Sequence, residues 1–87
     1  MRDTQELEYI EKGVYKLDLT GYACPYPQIL TLQALKKLEV GDLLEVITDN
    51  PPSCENVPAV VRRNGHIVLG IEKIGVGLWK IRIKKAK

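Results

Sequence analysis

An α/β fold, an α+β two-layer sandwich, is the class this sequence predicts, with the order β-α-β-α-β-β and both helices on one face of a four-stranded mixed sheet. Three observations predict it. The segments Val14–Leu19 and Leu78–Lys84 alternate apolar and polar residues with the two-residue period of a half-buried strand. The segments 25–38 and 53–64 instead repeat apolar residues at spacings of three and four, the period of an amphipathic helix. Gly, Pro and Asn-Gly separate each segment from the next. Right-handed crossovers place the two helices on the same face of a shared sheet.

Residues 1–13 are charged, with Leu7, Tyr9 and Ile10 as apolar anchors. They read as an N-terminal tail or as an extra edge strand turned through Glu11-Lys12-Gly13; residues 14–87 read as one domain. In Val14–Leu19, Tyr15, Leu17 and Leu19 point one way and Lys16 and Asp18 the other. Thr20-Gly21 ends that strand. Ile29, Leu30, Leu32, Ala34, Leu35 and Leu38 make the apolar stripe of the first helix. Pro25 and Pro27 mark its start, where a missing N–H costs little. Lys36 and Lys37 stand near its negative end, and Gly41 follows it.

Leu43–Thr48 is aliphatic on both faces, as a central strand requires, and Asp49-Asn50-Pro51-Pro52 stops it. Val57, Val60 and Val61 face the core from the second helix, which Asn64-Gly65 closes. Pro58 is expected to kink this helix or to delay its start to about Val57. Ile67–Lys73 and Leu78–Lys84 form a hairpin about Gly75-Val76-Gly77. In the last strand Trp79, Ile81 and Ile83 oppose Lys80, Arg82 and Lys84.

With 87 residues the chain is one domain on a modest core, and without Phe that core rests on Leu, Ile and Val. A net charge of +2 is weak evidence for nucleic acid. No apolar run approaches the roughly 20 residues of a membrane span, and the polar start, M-R-D-T-Q-E-L-E, lacks an apolar signal region. A cytoplasmic protein is therefore expected, with no membrane contact. In that compartment Cys24 and Cys54 are not expected to form a structural disulfide. With His66 as the one further soft ligand they do not make a zinc set, so neither metal nor cofactor is expected.

The informative stretch is G-Y-A-C-P-Y-P-Q, residues 21–28. Cys24 follows a strand and opens a helix. In open α/β sheets such loops gather at the carboxyl ends of the strands, where ligands bind. The free N–H groups and positive pole of a helix start favour thiolate, drawing the pKa below the free value of about 8.5. The two prolines stiffen the turn. Position and flanks leave two readings open: an activated nucleophile, or a small buried hydrophobe of the kind free cysteines often are.

The stretch L-D-L-T-G-Y-A-C-P-Y-P-Q-I-L, with G-D-L-L-E-V-I-T-D-N-P and V-P-A-V-V-R-R-N-G-H downstream, resembles the TusA/SirA/YedF family of small sulfur-carrier proteins over about residues 14–84. The resemblance implies the same β-α-β-α-β-β fold. It implies that Cys24 accepts sulfane sulfur as a persulfide from a cysteine desulfurase or rhodanese-like donor. The sulfur then passes to a downstream sulfur-relay acceptor, in tRNA thiolation or cofactor assembly, for example. The protein would be a sulfurtransferase-type carrier rather than an enzyme with turnover of its own. Such a task needs one exposed nucleophile and no acid–base pair, since thiolate and persulfide are both competent leaving groups. The sequence shows no triad, and His66 reads as a surface or strand-edge residue. Asp18, Gly21, Pro25, Pro27 and Asp49 form the motif's framework: Asp49 as an Asx-type turn cap, Gly21 as a backbone angle other residues disfavour.

The sequence departs from the pattern at D-N-P-P-S-C-E-N-V-P, where a charged residue is expected after the Thr-Asp-x-Pro turn. Pro52 and Cys54 are extra. Cys54 is either a resolving thiol for Cys24 or a half-buried small residue at the start of the second helix. The cations Lys80, Arg82, Lys84, Lys85 and Lys87 read as a solvated strand face and tail, or as a docking surface for an acidic partner or tRNA. Two other functions compete with the carrier. One is an RNA-binding or regulatory module, since the fold type also resembles the C-terminal domain of a bacterial translation initiation factor. The other is a thiol redox protein using Cys24 and Cys54.

Overall fold

The structure, a computed structural model, describes residues 7–22 and 26–87. Its strands are β1 (Leu7–Glu11), β2 (Val14–Asp18), β3 (Leu43–Thr48), β4 (Ile67–Gly75) and β5 (Leu78–Lys84); its helices are α1 (Tyr26–Lys36) and α2 (Ser53–Arg63). The four expected strands form one mixed sheet. β2 and β3 are parallel, β3 and β5 antiparallel, and β5 and β4 antiparallel. β1 adds a fifth strand at the β2 edge, so the order is β1-β2-β3-β5-β4. Of the two readings of the first 13 residues, residues 7–11 take the edge strand. The hairpin β4–β5 folds back so that β5 inserts beside β3 and leaves β4 as the other edge.

One face of the sheet carries the core. Leu17, Leu44, Val46, Ile81 and Ile83 stand on it, and Ala34, Leu35 and Leu38 from the α1 side and Val57 and Val61 from α2 close over them in one cluster. Both helices therefore lie on the same face. At about 1.5–3 kcal/mol for each fully buried aliphatic side chain, this layer is the main source of stability in so small a domain.

The first helix differs from expectation in phase and bounds. In α1 the buried positions are Pro27, Thr31, Ala34 and Leu35, with Leu38 following. Ile29, expected in the stripe, is 45% exposed. The shift is tolerated because Thr31 satisfies its hydroxyl internally, donating to the Pro27 carbonyl at 2.7 Å. The helix stops at Lys36 and tightens, with Lys37 N–H to Ala34 O and Leu38 N–H to Leu35 O. Its final carbonyls are met by Lys85, whose Nζ donates to Leu35 O and Leu38 O at 2.7 Å each. Gly41, at φ +99°, turns the following loop and does not cap the helix.

α2 starts at Ser53, as the segment 53–64 predicts, so Pro58 does not delay it and sits inside it, buried. Asn50 starts the helix from outside: its Oδ1 accepts from the Ser53 N–H and hydroxyl, both at 3.2 Å. Pro52 then takes the Glu55 and Asn56 N–H groups on its carbonyl. Pro58 removes one N–H, the one that would reach back to residue 54, and the turns on either side hold without it.

Candidate functional site

Parallel pairing of β2 with β3 puts the two strand-to-helix loops at one edge of the sheet, the carboxyl edge where open α/β folds build their sites. The ladder runs one step beyond β2, since the Leu19 N–H donates to Ile47 O at 2.8 Å. Leu19 itself is fully buried, which anchors the chain just before it turns.

Two carboxylates shape the turn. Asp18 Oδ1 accepts from the Thr20 N–H at 3.0 Å and from the Thr20 hydroxyl at 2.8 Å. These bonds hold the Asp18 carboxyl below the usual carboxylate range, the backbone bond contributing most. Asp49 Oδ1 accepts from the Gly21 N–H at 3.0 Å. That bond corrects the expected role of Asp49: it ties one loop to the other instead of closing its own turn. Inside its own loop the work falls to Thr48, whose Oγ1 accepts from the Asn50 N–H at 3.1 Å, and to Asn50.

Gly21 has φ +89°, a conformation that L side chains resist, in open space where an added Cβ would meet nothing. The Tyr22 N–H then donates to Leu19 O at 3.2 Å, closing the bend. Cys24 and Pro25 lie outside the described residues. The chain is described again from Tyr26, which opens α1 with 58% of its surface exposed, while Pro27 beside it is fully buried. Tyr22 and Tyr26, exposed aromatics on either side of residues 23–25, are a feature sequence reasoning passed over. The two tyrosines in G-Y-A-C-P-Y-P were the available signal.

Cys54 is a free, half-buried thiol in the first turn of α2. Burial, and secondarily the Glu55 carboxylate, push its pKa up. His66 follows α2 at the far end of the helices from this edge. Its Nδ1 accepts from the Ala86 N–H at 3.3 Å. Among the described residues no three His, Cys, Asp or Glu side chains group as metal ligands, and no helix is long and apolar enough to cross a membrane.

The cations of β5 face the open side of the sheet next to acids. Glu45 meets Lys80 and Arg82 at 3.6 Å each, and Glu72 meets Arg82 at 3.9 Å. Lys85 is committed to α1. The stripe expected as a docking surface is thus partly neutralised and partly spent on the fold.

Comparison with known proteins points the same way as the edge geometry. A Thermotoga maritima protein described as a candidate sulfur carrier is 46% identical over 68 residues, covering 78% of this chain and 86% of that one. The Escherichia coli (strain K12) protein YedF, likewise described as a candidate sulfur carrier, is 44% identical over 61 residues, covering 70% and 79%. The crystal structure of a SirA-like protein from Desulfitobacterium hafniense superposes with a TM-score of 0.74 at 25% identity, covering 85% of this chain and 99% of that one. Residues 15–85 match the family described as Sulfurtransferase TusA, and the chain belongs to that family.

Proposed function

We propose that the protein carries sulfane sulfur as a persulfide on Cys24. The observation that carries this reading is the sequence position of Cys24-Pro25, after β2 and directly before Tyr26 and Pro27 of α1, where the preceding turn is tied to the neighbouring loop by the Gly21–Asp49 bond. The relatives' description as candidate sulfur carriers supports it. The transfer balances without a cofactor. The Cys24 thiolate attacks the terminal sulfur of a donor persulfide, a new S–S bond forms, the donor S–S bond breaks, and the donor leaves as thiolate. An acceptor nucleophile then takes that outer sulfur and releases the Cys24 thiolate.

The donor is a cysteine desulfurase or rhodanese-like protein and the acceptor a further relay protein, in the cytoplasm, serving thiolation of tRNA or assembly of a cofactor. Asp18, Gly21 and Asp49 hold the loop and Pro27 seats the helix start, so that the thiol is presented at low entropic cost. Tyr22 and Tyr26 offer partners aromatic surface beside it.

The two competing functions draw less support. An RNA binder needs a continuous cationic face, whereas Glu45 and Glu72 interrupt this one. A redox pair needs a reactive second thiol, whereas the Cys54 pKa is raised.

The test is intact-mass measurement without reductant after incubation with a cysteine desulfurase, cysteine and pyridoxal phosphate. Gain of one sulfur, reversed by dithiothreitol and absent from Cys24→Ser, is expected. Full loading of Cys24→Ser would sink the reading. Cys54→Ser is expected to load and discharge at the wild-type rate; a stalled discharge would instead make Cys54 the resolving thiol.

A further inference from the structure

Along α1 from Ile29 to Lys36, the helix, the residues after α2 and the chain after β5 border a cleft of about 470 Å³. This volume falls within the roughly 300–1,000 Å³ range of small-ligand sites. Its walls divide by chemistry. Ile29 and Leu32 from α1 form an apolar side, and Ile29 is nearly half exposed there although it lies on a helix. Lys36, Lys87, His66 and Gln33 line the remainder with Asn64. No Asp or Glu side chain is among the lining residues.

Three features put donors on the polar wall, although the Asn64 side-chain N–H is spent on Val60 O at 2.8 Å. First, the negative pole of α1, which would otherwise attract these lysines, is already occupied by Lys85 Nζ on the Leu35 and Leu38 carbonyls. Second, the Lys87 side chain folds back over Gly65: its Cδ lies 2.7 Å and its Nζ 3.6 Å from where a Cβ on Gly65 would stand. The glycine makes room for the lysine stem, which keeps the ammonium at the cleft. Third, the Ala86 N–H donates to His66 Nδ1, which fixes the tautomer with the proton on Nε2, so the ring has a donor left to offer. Neither Lys36 nor Lys87 has an ion-pair partner among the described residues. Burial and the nearby Lys85 and Lys87 favour the neutral ring, consistent with that tautomer.

We infer that this cleft binds a small organic anion, its carboxylate or phosphate head held by Lys36, Lys87 and the His66 ring N–H and its apolar body laid on Ile29 and Leu32. The span from Ile29 to Lys36 is two turns of helix, about 10 Å, which suits a molecule of one ring or a short chain. The site is independent of the reading of Cys24 as a sulfur carrier.

Amide NMR titration of the full chain with phenyl phosphate, phenylacetate and inorganic phosphate tests it. Saturable shifts at Gly65, Ala86 and the Gln33 side-chain amide are expected. The two aromatic anions should bind at least several-fold more tightly than inorganic phosphate, and the stronger of the two identifies the head group. Lys36→Gln with Lys87→Gln should weaken binding at least tenfold. Ile29→Ala should bring the aromatic anions down toward inorganic phosphate. All three positions are exposed, so the variants should keep the wild-type spectrum elsewhere. Shifts that do not saturate, that spread over the β5 cations, or that survive the double lysine substitution would overturn the assignment. So would lysine-dependent binding of an octaglutamate peptide without binding of phenyl phosphate, which would make the cleft a peptide-docking surface.

Discussion

Replacing Gly21 by Ala separates backbone strain at the candidate site from every other effect of adding a methyl group. Gly21 stands at φ +89°, and a Cβ built there has no heavy atom within 4 Å. No clash contributes, so the cost is conformational, about 1–2 kcal/mol for an L residue at positive φ. The unfolded chain partly offsets it, since Ala has less entropy to lose by about 0.4–1 kcal/mol. Gly70 in β4 supplies the control: its added Cβ also meets nothing within 4 Å, and it is not among the positive-φ glycines. The unfolded-state contribution is common to both substitutions and cancels in their difference. Gly21→Ala should therefore be less stable than Gly70→Ala by about 1–2 kcal/mol, or roughly 4–16 °C in midpoint at 4–8 °C per kcal/mol for a domain of this size. Thermal and urea unfolding of the two variants measure that gap. Persulfide loading should also slow in Gly21→Ala, because the strained residue donates the N–H that Asp49 accepts. Adding Asp49→Ala to it should then cost less than the sum of the two single changes. Equal stability of the two glycine variants would refute the positive-φ turn. Additive costs would refute the linkage between the loops.

Other expected outcomes follow from single interactions. The Asp18 carboxyl has its pKa lowered in the fold, chiefly by the Thr20 N–H and then by its hydroxyl. Its contribution is complete above the unfolded value of 3.8 and disappears as pH falls through the lower folded value; Asp18→Ala should flatten that acid limb of a stability-versus-pH curve. His66 is also lowered, and for a base this means the fold prefers the neutral ring, so stability is lost as pH falls below 6.5; His66→Gln should remove that part of the slope in urea midpoints. Lys85→Met keeps the stem and loses two bonds of 2.7 Å at the end of α1, for about 1–3 kcal/mol in denaturant unfolding. Exposed Lys84→Met should change stability by less than about 0.5 kcal/mol. Cys54, with its pKa raised, should alkylate near neutral pH more slowly than a free thiol, as time-resolved mass measurement on Cys24→Ser would show.

What was legible in the sequence is what rests on short periods. β2, β3 and β5 follow from alternation and aliphatic content within a few residues, and the phase of Leu17, Ile81 and Ile83 is the observed one. That β2 and β3 lead into loops at one carboxyl edge follows from strand-to-helix order alone. The illegible features depend on partners distant in the chain. Asp49 reads locally as a turn residue, yet its bond is to Gly21, 28 positions away. Lys85 reads as one of a row of tail cations, yet it serves carbonyls 47 and 50 positions earlier. Ile29 reads as core because apolar stripes constrain a helix only to within a turn, while the actual phase was set by Pro27 and Thr31 packing inward together. The same limit explains the two ends of the molecule. At the motif edge the turn is local, its Asp18–Thr20 bonds spanning two residues, so the sequence pointed to it. At the far cleft, Lys36, His66 and Lys87 come from three segments that meet only after the hairpin has returned β5 to the centre of the sheet. A cationic wall assembled in that way has no local sequence signature, and its chemistry emerges only when the fold brings those segments together.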